Sequence, residues 1–134
     1  DWSSDVCSSD LVGVFTELEA KDEPTVFVLI PYGSAEAVAT TAARLNADAE
    51  YQKAGADYLQ ANKSNPAFVR IDSWLMLAFA GMPRLNVPPY SRAKRARMFE
   101  LRTYESHSET KALKKVEMFN SGEIETMQEV GLAP

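Results

Sequence analysis

Between Ala35 and about Ala61 the chain repeats apolar side chains at helical spacing, and most of them are small: Val38, Ala42, Leu45, Ala49, Ala56 and Leu59. A helix with so shallow a stripe gains from burial only if it lies close against a neighbouring layer. The feature therefore predicts a helix packed on a sheet. Ser34 is a good N-cap for it, because a serine hydroxyl accepts from the first free amides. Gly55 costs about 1 kcal/mol relative to alanine in a helix interior, so a kink or break is expected near Ala54 and Gly55.

The sheet has candidates on both sides of this helix. Val12 to Leu18 is a short β-rich run that ends in the charged turn Glu19 to Pro24, and Thr25 to Ile30, TVFVLI, follows at once. The pair predicts an antiparallel hairpin. Asn62 to Pro66 is turn-forming, and Phe68 to Phe79 is expected to be a long strand. Gly81-Met82-Pro83 closes this unit. Arg84 to Ala96 then changes composition, with Pro88, Pro89 and the basic residues Arg92, Lys94 and Arg95 followed by Arg97, and is expected to be a linker. Met98 to Glu105, MFELRTYE, predicts a further strand with Phe99, Leu101 and Thr103 on one face and Met98, Glu100, Arg102 and Tyr104 on the other. Ser106 and Glu109 fit a capping box. The helix they open carries Ala112, Val116, Phe119, Met127 and Val130 along one stripe, with Gly131 as its C′ residue. The expected order is β-β-α-β-β-α, an α+β chain.

The first eleven residues, DWSSDVCSSDL, have neither hydrophobic period and resemble a translated sequencing adapter. They are expected to be foreign to the fold and to add nothing to its stability. They carry Asp1, Asp5, Asp10 and the single cysteine, Cys7, and without them the 19 acidic residues fall to 16 against 14 basic ones, a net charge of -2 in place of -5. The other 123 residues of the 134 hold no cysteine, which leaves no disulfide framework or thiolate chemistry to propose there. No run approaches the ~20 apolar residues of a membrane span. Localisation is left open, because the native N-terminus is expected to be missing.

The stretch FELRTYESHSETKALKKVEMFNSGEIETMQEVGL, Phe99 to Leu132, resembles the start of a NIPSNAP domain, and VGVFTEL, VFVLIPY, AEYQKAGADYL and the run to GMP are similar to the later part of a preceding copy. The resemblance implies a ferredoxin-like fold of the dimeric α/β-barrel type, with elements in permuted order. It implies the C-terminal part of one domain over 12–83, a linker over 84–96 and the N-terminal part of a second domain over 97–134. On this reading Met98 to Glu105 pairs with Phe68 to Phe79 in place of a missing first strand, with Phe99 and Leu101 buried against helices and Arg102 on the opposite face. Self-association or a partner protein at the barrel interface would be the working mode, as a binding or assembly module. The alternative is a small-molecule enzyme, monooxygenase-like, using the polar sheet face.

Glu100, Arg102 and Tyr104 share a face at period two, so they can line a cavity and hold a polar ligand, or else form an ion pair and hydroxyl contact that fix a sheet or interface. The lone histidine, His107, lies between two serines at a helix start, where exposure is expected and a general base would lack a partner. No set of residues with metal-ligand spacing surrounds it, and no cofactor is expected. The basic run from Arg92 to Arg97 is read as solvated linker, since a net acidic chain without groove-reading elements does not fit a nucleic-acid binder.

Overall fold

The computed structural model of the chain describes residues 12–19, 22–93, 95 and 97–134. The chain divides into two compact units, one ending at Trp74 and the other beginning at Leu75. Residues 1–11, whose adapter-like sequence was singled out above, lie outside the described residues, as does Lys94 of the basic run.

In the first unit β1 (Gly13–Thr16) pairs antiparallel with β2 (Val26–Leu29), with Val14 opposite Val28 and Phe15 opposite Phe27. The predicted hairpin is present. Its period of two sets Phe15 and Phe27 on the half-buried face and Val14 and Val28 on the exposed one. The Glu17 carboxylate accepts from the Thr25 amide at 3.3 Å and closes the loop from inside.

The alanine-rich stretch forms three consecutive helices: α1 (Ala35–Ala47), α2 (Ala49–Ala54) and α3 (Ala56–Leu59). Ser34 caps α1 as expected, its hydroxyl accepting from the Ala37 amide at 3.1 Å. Gly55 separates α2 from α3, where a break was predicted. A second break at Asp48 was not anticipated. There the carboxylate accepts from the Glu50 and Tyr51 amides, both at 2.9 Å, and competes with helix continuation by capping a new start. The half-buried stripe differs from the one expected: Val38, Leu45 and Ala56 lie on it, while Ala42, Ala49 and Leu59 are exposed and Thr41, Tyr51 and Gln52 are half-buried. The Asn62 carboxamide then accepts from the Ser64 and Asn65 amides at 3.0 Å, which makes the predicted turn.

The second unit holds α4 (Pro89–Arg92), a single turn inside the proline-rich stretch read as linker, then α5 (Glu109–Met118) and α6 (Ile124–Glu129). Ser108, not Ser106, caps α5: its hydroxyl accepts from the Lys111 amide at 3.4 Å. Glu109 thereby becomes the first helical residue. It acts on the free amides through its charge and not through the reciprocal bond of a capping box. The expected single helix to Val130 is broken over Phe119–Glu123, where Gly122 has φ of 131°, a conformation L side chains rarely adopt. At the far end Gly131, φ 85°, donates to the Gln128 carbonyl at 3.0 Å and Leu132 to that of Met127 at 2.9 Å. This is the Schellman geometry, with glycine at C′ as predicted. Phe119 and Ile124 are the buried apolar residues among those described. Phe79 stacks on Phe119 with ring centroids 4.7 Å apart, and the Gly81 amide donates to the Asn120 side chain at 3.2 Å.

Two of the predicted strands are not formed. Among the described residues, 68–79 and 98–105 belong to no ladder, and β1 with β2 is the sheet that is present. Among the described residues the expected pairing of these two stretches, and with it the four-stranded permuted sheet, is therefore not formed; the architecture shown is mixed α+β with one two-stranded antiparallel sheet and several helices. Phe99 and Leu101, expected in a core, are 45% and 72% exposed. The reason is that β-propensity measures fit to a pleated, half-buried surface, so a β-rich run that meets no adjacent strand forms no ladder.

Candidate functional site

From 97 to 106 the described chain runs without turn or bend, and alternation places Glu100, Arg102 and Tyr104 on one face. An Arg102 guanidinium nitrogen donates to the Glu100 carboxylate at 2.8 Å, two residues apart on the same side, as extended backbone requires. The arginine beside it holds the Glu100 carboxyl below the usual carboxylate range, chiefly by this hydrogen bond and then by its charge. Reciprocally, the bond to Glu100 and next the Tyr104 side chain push the guanidinium above its already high value. Both charged side chains stay open to water, Glu100 at 68% and Arg102 at 49% exposure.

Tyr104 ends the row differently. Its ring meets Phe119 edge-on with centroids 5.6 Å apart, and the Lys115 ammonium lies 4.8 Å from the Tyr104 ring centre and 4.7 Å from that of Phe119. Lys115 also donates to both carboxylate oxygens of Glu123 at 3.0 Å, and this pair is largely withdrawn from water. A cation shared by two rings and a carboxylate is well satisfied, so the cluster anchors the tyrosine end of the segment to α5.

The structure thus brings Glu100 and Arg102 into direct contact and gives Tyr104 to a neighbouring aromatic and cationic cluster. Sequence reading passed over Lys115 and Glu123 as a pair, because on one continuous helix they would be eight residues apart. The Asn120-Ser121-Gly122 run was the available signal, since a glycine at positive φ lets the chain turn and return Glu123 to Lys115. His107 is exposed in the bend before α5. Among the described residues no group of three His, Cys, Asp or Glu is placed to hold a metal ion, and no helix is long and apolar enough to cross a membrane. An open depression lined by Asp57, Gln60, Asn62 and Asn65 lies in the first unit and includes none of the predicted site residues.

No protein family, curated protein or solved structure compared with the chain matches it.

Proposed function

We propose that this chain is a binding or assembly module, of the NIPSNAP type its sequence resembles, which works by offering β-forming segments that join no ladder of its own to a partner. The ferredoxin-like arrangement with permuted order would then belong to the assembled state, in which the stretches 68–79 and 98–105 acquire ladder neighbours supplied from outside. The observation that carries this reading is the exposure of large apolar side chains along stretches that join no ladder: Leu75 at 74%, Leu77 at 98% and Leu101 at 72%. Exposed apolar surface of this kind marks interaction sites, and an unpaired edge is a template for another strand. The rival reading, a monooxygenase-like enzyme, calls for convergent polar groups in an enclosed pocket, and the openness of Glu100 and Arg102 does not favour it.

Amide hydrogen exchange across a concentration series tests the proposal. Amides in 70–77 and 100–105 should exchange freely in dilute protein and become protected as concentration rises or as a partner is added. Fast exchange in these stretches under every condition, with unchanged protection elsewhere, would count against assembly through them.

A further inference from the structure

Resting on that reading, we propose that the partner of the segment 98–104 is a second copy of the same segment, paired antiparallel about a two-fold axis at Leu101. Its sequence, Met98-Phe99-Glu100-Leu101-Arg102-Thr103-Tyr104, has an acid one place before the central leucine and a base one place after it. An antiparallel two-fold centred there sets each Glu100 against the Arg102 of the other copy, twice. It also sets Met98 against Tyr104, a favourable sulfur–aromatic pairing, and Leu101 against itself.

The other registers are opposed by the same charges. Sliding by two residues in one direction puts Glu100 against Glu100, and in the other direction Arg102 against Arg102. Parallel pairing in register brings both like-charge contacts at once. A slip of one residue mixes the two faces, setting charged groups against apolar ones. Of these pairings only the two-fold one brings both charge pairs into attraction at once, which is why the geometry favours a second copy over an unrelated strand.

The structure leaves this edge in the right condition. Among the described residues, the backbone groups of 100–105 have no backbone partner, so their donors and acceptors stand ready for a ladder. The Tyr104 end is held by Phe119 and Lys115, which limits the freedom lost on pairing. The exposed Glu100–Arg102 contact within one chain is weakly held in water, so its members can turn to the neighbouring copy while every carboxylate keeps a cation. Arg70-Ile71-Asp72 repeats the pattern with reversed signs, and Arg70 and Asp72 are in contact at 2.8 Å, but that stretch is bent at Val69.

Sedimentation velocity on the full chain reads the outcome. Glu100→Arg and Arg102→Glu, made singly, should each weaken self-association by about tenfold or more, since either change converts two attractive cross-strand contacts into repulsive ones. An equimolar mixture of the two single variants should restore association, and so should the double variant Glu100→Arg/Arg102→Glu within one chain. Lys63→Glu, an exposed charge change in the turn after α3 and outside both stretches, should leave it unchanged. Self-association that ignores the charges at 100 and 102, or that falls equally with Lys63→Glu, would overturn the two-fold pairing while leaving the assembly reading in place. A chain that stays monomeric at every concentration would also overturn it, and the assembly reading would then turn on protection of the same amides by a different protein.

Discussion

Glu100 and Arg102 show how much a single contact can do on open backbone. With the carboxylate depressed by its arginine, the attraction between the two is present above the ordinary carboxylate range and is lost as pH falls through the lowered value of Glu100. Carbon-detected titration of the Glu100 carboxyl should give a midpoint below that of an ordinary glutamate, and Arg102→Gln should bring it back up. Equal midpoints in the two proteins would show that the contact does not persist in solution. Because both groups are exposed, the effect should appear in the titration and in association, with little change in folding stability.

At the scale of elements, the local hydrogen-bond economy of helix ends decides more than hydrophobic period does. Ser34, Asp48 and Ser108 each accept from amides that a helix start leaves free. Asp48 and Gly122 divide runs whose apolar spacing alone reads as continuous. Ser108→Ala should cost about 1 kcal/mol in the unfolding of the unit that contains α5, whereas Ser106→Ala should stay within about 0.5 kcal/mol, as for a surface change. Chemical denaturation of both variants checks this contrast. Equal losses, or a larger one at Ser106, would return the cap to the position expected from the capping-box pattern. The same level explains the visibility of the candidate site. The row of Glu100, Arg102 and Tyr104 was legible because extended chain has a period of two whether or not it is paired, while the Lys115–Glu123 contact depends on a backbone turn at Gly122 that periodicity does not encode.

For the molecule as a whole, the notable property is apolar surface left in water. Leu77 is 98% exposed and Leu75 74%, in a stretch whose composition reads as buried strand. Leu77→Lys should therefore change the thermal midpoint of dilute protein little, by the equivalent of no more than about 0.5 kcal/mol, and should reduce concentration-dependent association. If the leucine occupied a core, truncation or charging at that site would cost about 2–5 kcal/mol, and a drop of that size in the dilute protein would contradict the exposed placement.

What the sequence determined by itself is whatever a few neighbouring residues can enforce: the β1–β2 hairpin, the capping of α1 by Ser34, the break at Gly55, the turn at Asn62 and the glycine stop at Gly131. Each is closed by hydrogen bonds or backbone preferences within a short span, so composition and spacing suffice to read it. The tertiary structure alone decided that, among the described residues, 68–79 and 98–105 join no sheet, that Phe119 and Ile124 rather than Phe99 and Leu101 are buried, and that Lys115 meets Tyr104, Phe119 and Glu123. A strand exists only by virtue of a neighbour, and a core only by virtue of surfaces brought together. Both depend on segments remote in the chain, whose cost of approach is an entropy that local sequence does not contain.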